Sequence, residues 1–367
     1  MLSVLHVCTD FWPITGGIQS FVLELSRRTR ALGVNAAIFC CNGSSAYPAK
    51  LPSSDSVDGV PVTRAAYLDL RFYKPTLFSN VELRDYDVIH VHGLGAQLDY
   101  LALSKSTHGR PIILSTHGAI FHTKSLRWLK QQYFYRFQPF ILSRVDLVAA
   151  CSASDADLFQ KISGRVRLVE NGVDVDKLLA LPMSGKCPTR CLYVGRLAAN
   201  KGIEPLLNAF AYAQERGAMF DLRIVGPDSS QQGHRYSALA ARLGLSKRVQ
   251  FLGAVEPDVL MKEYASADIF VSASRYEGFG ISAIEARAAG CRLLLQSNDA
   301  FTALFGADPT VTLIDFQSAA NAGGALFDLL QKDSDAATGR SGVSRYSWDR
   351  KAHEWLAIYR DLRGRSA

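Results

Sequence analysis

What most restricts the fold of this chain is one local pattern that keeps returning. A short apolar or β-branched run closes on a glycine turn, and apolar residues then recur at helical spacing. Residues 4–8 form the first run. Pro13 and Gly16-Gly17 follow, and Ile18, Phe21, Val22 and Leu25 then share one helical face that leads into Arg27, Arg28 and Arg30. Residues 34–39, 60–64, 87–92, 112–115 and 147–151 read as further strands; 87–92 runs into Gly93-Leu94-Gly95, and 112–115 into Thr116-His117-Gly118. Apolar strands alternating with helices predict a parallel sheet covered on both faces.

After a polar stretch at 183–188 the pattern restarts. Strands are expected at 190–194, 221–225, 249–252, 269–272 and 291–296, with a helix at 203–216. The second half does not echo the first in sequence, so the architecture repeats but the sequence does not. The expectation is an α/β chain of two doubly wound, Rossmann-like domains facing across a cleft: 1–170, a linker at 171–186, and 187–347. Residues 348–362 have helical periodicity, and a helix within 348–367 can dock on either half, the first domain included. A length of 367 residues suits two domains. In such sheets ligands collect at the carboxyl ends of strands, which makes the turns after each strand, and the cleft between the sheets, the places to search.

Composition narrows the classes. No stretch of eighteen apolar residues occurs, and the first residues lack the basic start and long apolar run of a signal peptide. Seven cysteines, at 8, 40, 41, 151, 187, 191 and 291, are odd in number and scattered, which fits a reducing compartment, with the cytoplasm as the expected location. A net charge of +7 favours anionic partners without choosing among them. No metal site is expected. Cys187-x3-Cys191 has no second half at zinc spacing, His90 and His92 share a strand face without nearby carboxylates or thiols and read as structural, and Asp174-Val175-Asp176 reads as a turn and helix cap.

The turns carry the chemistry. Gly16-Gly17 lets backbone amides approach a phosphate or sugar, although a packing turn explains the pair equally well. The chain has no G-x-G-x-x-G, no acidic end to its second strand and no G-x4-G-K-[ST], which argues against nicotinamide dehydrogenases and P-loop enzymes. His117, at a strand end, can donate from one nitrogen and accept at the other; a structural histidine is the alternative. Gly195-Arg196-Leu197 with Asn200-Lys201-Gly202 brings two cations to the start of one helix, against its dipole unless an anion lies between them. A diphosphate satisfies both, Arg as a planar fork and Lys as a point charge. Further on, Glu277-Gly278-Phe279-Gly280 precedes a small-residue helix that carries Glu285. Were the helix continuous, eight residues would set the two glutamates about 12 Å apart, beyond the roughly 5 to 9.5 Å of a glycosidase pair. Residues 124–144 hold five basic and no acidic residues among aromatics, which reads as a membrane-surface helix, a buried core helix or a nucleic-acid face.

In this order the motifs resemble glycosyltransferase family 4, retaining nucleotide-sugar-dependent enzymes of the GT-B fold. The resemblance runs from Pro13-x2-Gly16-Gly17 through Asn171-Gly172-Val173-Asp174 and Val194-Gly195-Arg196 with Lys201 to the E-x7-E pair Glu277 and Glu285. It implies that Arg196 and Lys201 hold the donor diphosphate, beside Gly195. Glu277 and the amides of Gly278, Phe279 and Gly280 orient the sugar and its phosphate, Glu285 binds the ribose, and His117 contacts the sugar. Gly16 and Gly17 lie under the phosphates, and the segment from Phe251 to Val255 lines the base. His117, Glu277, Arg196 and Lys201 form the expected catalytic set, without cofactor or metal. Ser115 through Lys124, followed by basic aromatics, is similar to bacterial mannosyltransferases that extend lipid-diphosphate-linked saccharides for exopolysaccharide. This implies GDP-mannose as donor, a saccharide or polyprenyl-diphosphate saccharide as acceptor, contact of 124–144 with the anionic inner membrane face, and no nucleic acid. A nucleotide-sugar epimerase of similar fold and an inactive sugar-nucleotide-binding protein are the alternatives; front-side and covalent mechanisms both stay open.

Overall fold

A computed structural model describes residues 1–14, 16–44, 50–70, 73–78, 81–118, 127–181, 187–228, 231–332, 340 and 342–366. The chain forms two compact units, Met1–Gly172 with Trp348–Ala367, and Val173–Ser347. In the first, strands β1 (Ser3–Val7), β2 (Asn35–Cys41), β3 (Ser54–Val57), β4 (Val60–Ala65), β5 (Val88–His92), β6 (Ile112–Ser115), β7 (Leu147–Ala150) and β8 (Val166–Leu168) form one sheet in the order β3-β4-β2-β1-β5-β6-β7-β8. Only the β3–β4 pair is antiparallel. Side chains alternate across the sheet. Leu5 and Val7 therefore pack with Leu98, Leu101, Phe134 and Phe159 on one face, while Leu2 and Val4 pack with Phe21, Leu25, Trp355 and Tyr359 on the other. The helices Gly17–Ala31 and Trp348–Ser366 supply that second layer.

The second unit holds β9 (Cys187–Val194), β10 (Asp221–Val225), β11 (Val249–Gly253), β12 (Ala267–Ser272), β13 (Arg292–Gln296) and β14 (Val311–Ile314), all parallel, in the order β11-β10-β9-β12-β13-β14. Alternation again splits its core. Ile269 and Val271 face Ile203, Leu206 and Phe210 of the helix Ile203–Glu215, whereas Phe270 faces Ile284 and Ala288 of the helix Ile281–Ala288.

Three strands have no counterpart in the sequence reading: β3, β8 and β14. All three are sheet edges. With one neighbour and one solvated side an edge strand need not be apolar, and Ser54–Val57 exposes three of its four residues. The stretch expected to link the halves, 171–186, contains the helix Val175–Leu179, whose Val175 and Leu178 lie in the second core. Residues 127–144 do not form one helix: Arg127–Gln132 passes through a π turn at Tyr133–Phe137 into Gln138–Leu142. Pro139, which has no N–H to donate, lies at the junction of the π turn with that last segment.

Candidate functional site

In the second unit the expected residues meet where β9 and β12 end. Arg275 N donates to Asn200 O at 2.9 Å, tying the loop after β12 to the loop after β9. Across this tie Lys201 Nζ donates to Glu277 Oε1 at 2.7 Å, and the two side chains are only 16% and 14% exposed. Glu277 thus supplies the anion that a cation at the start of Ile203–Glu215 requires. Gly202 makes the approach possible: its φ is +69°, and a Cβ would lie 2.1 Å from the Ala273 carbonyl oxygen. Gly195 is held by its amide to Val225 O, 2.9 Å. Arg196 is exposed, and its guanidinium makes no hydrogen bond or ion pair among the described residues.

Glu277 precedes the helix rather than lying in it, because the helix begins at Ile281 after Gly280 in a left-handed conformation. The 12 Å figure, which assumed a continuous helix, therefore does not describe this pair. The amides of Gly278, Phe279 and Gly280 donate to none of the described residues, while the Phe279 ring is buried edge-on to Tyr346. Glu285 lies in the second turn and accepts from the Tyr264 hydroxyl at 2.7 Å. Burial raises its pKa to about 7; the Tyr264 bond opposes that shift and the charge of Asp174 adds to it. Val255 packs against the same core cluster as Tyr264 and Phe279.

The first unit places Gly16 and Gly17 at the start of the helix Gly17–Ala31, where no side chain caps the amides. One turn on, the Phe21 ring stands edge-on to the His117 ring, with centroids 4.8 Å apart. His117 has φ +48°. Its turn is pinned from below by Asp155, whose Oδ2 accepts from the Thr116 hydroxyl at 2.5 Å, the Gly118 amide at 2.8 Å and the Cys151 thiol at 3.2 Å. His117 Nε2 lies 3.1 Å from His92 Nδ1, and His92 Nε2 lies 3.0 Å from His6 Nδ1. His90 is bonded on both sides, to the Tyr359 and Ser115 hydroxyls, each at 2.8 Å. Burial lowers the pKa of every one of these histidines, to about 3 at His6 and about 4 at His117.

His6, His90 and His92 are the one grouping among the described residues whose ligand atoms lie close enough for a metal, within 4.8 Å of one another. Their contacts are those of hydrogen-bonded imidazoles. Asp174 stands just before Val175–Leu179, but its side chain does not cap the helix; it pairs with Lys177 at 3.2 Å, and Asp176 accepts from the Ser347 hydroxyl. Two cavities of the second unit, of about 450 and 340 Å³, are lined around Arg275 and Gln317 and include none of Arg196, Lys201, Glu277 and Glu285.

Between 127 and 144 the surface is mixed. Trp128, Leu129, Tyr135, Phe137 and Phe140 are exposed, with the Arg144 guanidinium over the Phe140 ring. Lys130 and Phe134 are buried, and Tyr133 donates to Asp99 at 2.9 Å. Residues 119–126, which include Phe121, His122, Thr123 and Lys124, lie outside the described residues. No helix among those described is long and apolar enough to cross a membrane.

Sequence reasoning missed Tyr264, Asp155 and His6. Asp155 carries a partial signal, three residues after the strand-end Ser152 that caps its helix. Tyr264 and His6 carry none, because their partners are distant in the chain.

The comparisons with known proteins cover both units. The model for glycosyl transferases group 1 matches residues 185–340, and that for Glycosyltransferase Family 4 matches 15–177. A GDP-mannose:cellobiosyl-diphosphopolyprenol alpha-mannosyltransferase of Komagataeibacter xylinus is 30% identical over 373 residues, covering 100% of this chain and 94% of its own. A protein of the same name from Xanthomonas campestris is 32% identical, covering 98% and 96%. Among solved structures, sucrose-phosphate synthase of Thermosynechococcus elongatus aligns with TM-score 0.74 at 21% identity, covering 99% of each chain. The Anabaena HepE protein in complex with UDP aligns at 0.75 and 18%, covering 98% of this chain and 100% of its own. At those identities the structures speak to the fold alone.

Proposed function

The chain is a glycosyltransferase of family 4 with the GT-B fold, and from that premise we propose that it moves α-mannose from GDP-mannose, with retention, to a polyprenyl-diphosphate-linked saccharide. Both relatives named above are mannosyltransferases of that kind, and they align over nearly the whole chain. The observation that carries the site is the Lys201–Glu277 pair beside the unbonded amides of Gly278 to Gly280. Here a cation, a carboxylate and a helix start converge from two strand ends.

In this reading Lys201 exchanges part of its contact with Glu277 for a donor phosphate oxygen, and the exposed Arg196 adds a second cation. Together with the helix amides they stabilise the charge that develops on the leaving diphosphate. Glu277, released from Lys201, accepts from sugar hydroxyls, and Glu285 accepts from the ribose. The acceptor hydroxyl attacks the anomeric carbon on the face the diphosphate leaves, and a leaving phosphate oxygen takes its proton. Transfer then needs no metal and no cofactor. Gly16 and Gly17 would carry the donor phosphates, and His117 a sugar oxygen.

The exposed aromatics and Arg144 between 127 and 144 support contact with an anionic lipid surface at the inner face of the membrane, where such an acceptor resides. Co-sedimentation should increase with the anionic lipid content of vesicles and fall for Trp128→Ser/Phe140→Ser.

Thermal denaturation against GDP-mannose, GDP, UDP-glucose and UDP without divalent metal tests the donor, since binding to the native state raises Tm. A shift confined to the guanosine compounds is expected; one confined to the uridine compounds would overturn the donor. In a transfer assay Glu277→Ala and Lys201→Ala, each folded, should lose at least about 100-fold in kcat, the scale of one electrostatic contact to developing charge. Near-wild-type transfer by either would refute the site.

A further inference from the structure

The buried histidines of the first unit contain an asymmetry that assigns a proton. His6, His92 and His117 form a chain of two hydrogen bonds, Nδ1 to Nε2 in each case, at 3.0 and 3.1 Å. His6 and His90 are register partners across β1 and β5, so His6, His90 and His92 share one face of the sheet. At the inner end of the chain His6 Nε2 is buried and has no partner among the described residues. At the outer end His117 is half-buried, and its Nδ1 has no partner among the described residues. The groups packed around the chain do not supply a proton. His90 has both nitrogens committed to the Tyr359 and Ser115 hydroxyls, and the Phe21 ring meets the His92 and His117 rings at steep angles of 60° and 70°.

Near neutral pH each of the three rings is neutral and carries one N–H. Two bonds among three such rings admit two polarities. With the hydrogens pointing inward, His117 Nε2 donates to His92 Nδ1 and His92 Nε2 donates to His6 Nδ1. His6 must then carry its own hydrogen on Nε2, a buried N–H with no acceptor. With the hydrogens pointing outward, His6 Nδ1 donates to His92 Nε2 and His92 Nδ1 donates to His117 Nε2. The inner end then leaves only a bare lone pair, and His117 carries its hydrogen on Nδ1. An orphaned buried N–H is the rarer vacancy in folded proteins, so the outward polarity is favoured.

We propose that His92, backed by His6, is a positioning residue that holds His117 in the Nδ1–H tautomer, so that His117 presents one fixed hydrogen-bond donor. The proposal rests on the reading of His117 as a sugar contact. It names the complement: an oxygen of the transferred sugar that accepts. The Asp155 clamp on Thr116 and Gly118 fixes the backbone of the same turn, so the donor is set in both tautomer and direction.

The tautomer is measured directly by two-bond proton–nitrogen correlation on histidine-labelled, ligand-free full chain near pH 7.5, with His117 assigned by the signal lost in His117→Asn. A single Nδ1–H pattern is expected. An Nε2–H pattern or a mixture would overturn the relay whatever the transfer rate, and so would stoichiometric zinc in the purified protein. His92→Phe should abolish the single tautomer and lower kcat/KM about tenfold, the scale of one hydrogen bond. His117→Asn retains an N–H near the Nδ1 position and tolerates the left-handed backbone. It should therefore transfer better than His117→Gln, whose amide reaches the Nε2 position. If the wild type shows Nδ1–H while His117→Ala transfers normally, the relay stands and the sugar-contact reading falls.

Discussion

At the scale of single residues, Glu285 makes the sharpest prediction. Burial lifts its pKa from 4.5 to about 7, and the hydrogen bond from the Tyr264 hydroxyl opposes the rise. In the proposed reading a ribose hydroxyl donates to the ionised carboxylate, so GDP affinity should tighten as pH rises from 6 to 8, which titration calorimetry can follow. Tyr264→Phe should move the midpoint of that dependence upward. The sign for stability is opposite. Because the folded pKa is raised, the native state holds the proton more tightly, and the stability present below pH 4.5 is lost as pH rises through about 7. Denaturant midpoints of Glu285→Gln should be flatter over that window. The sequence made Glu285 visible through its spacing from Glu277. Tyr264, twenty-one positions upstream, entered only when the core brought its ring under the helix.

At the scale of elements, one turn in each unit holds candidate residues in place. Gly202→Ala would force a Cβ against the Ala273 carbonyl at a positive φ. A loss of about 1–3 kcal/mol in unfolding free energy is expected from the strain, together with loss of the GDP-induced rise in Tm, since Lys201 is the preceding residue. Asp155→Ala would strand the Thr116 hydroxyl and the Gly118 amide. The expected cost is about 1–3 kcal/mol for a buried group left unpaired, with faster hydrogen exchange at Gly118. The Gly202 turn was legible, because glycine, lysine and a helix start stand next to one another in the chain. The clamp was not: Asp155 lies on the helix after β7 and serves the turn after β6, so its target follows from strand order. The edge strands β3 and β8 escaped for another reason, since half-solvated strands need no apolar signature.

At the scale of the whole molecule, the helix Trp348–Ser366 ends the chain yet belongs to the first unit. Its Trp355, Leu356, Ile358, Tyr359 and Leu362 are buried in that unit's core, and Tyr359 reaches His90. At about 1.5–3 kcal/mol for each large apolar side chain, removing residues 348–367 forfeits roughly 10 kcal/mol, comparable to the stability of an entire domain. Hydrogen exchange of the truncated chain should show the first unit open and Val173–Ser347 still protected; equal protection in both would refute this account. The sequence alone determined the alternation of strand, glycine turn and helix, and with it the doubly wound class and the turns that carry Arg196, Lys201, Glu277 and His117. Those signals lie between residues a few positions apart, where side-chain period and backbone preference act directly. Tertiary structure alone decided which distant groups meet: Lys201 with Glu277 across 76 positions, His6 with His92 across 86, His90 with Tyr359 across 269. Those meetings depend on strand order and register, which are set by the packing of the whole sheet and by no single stretch of the chain.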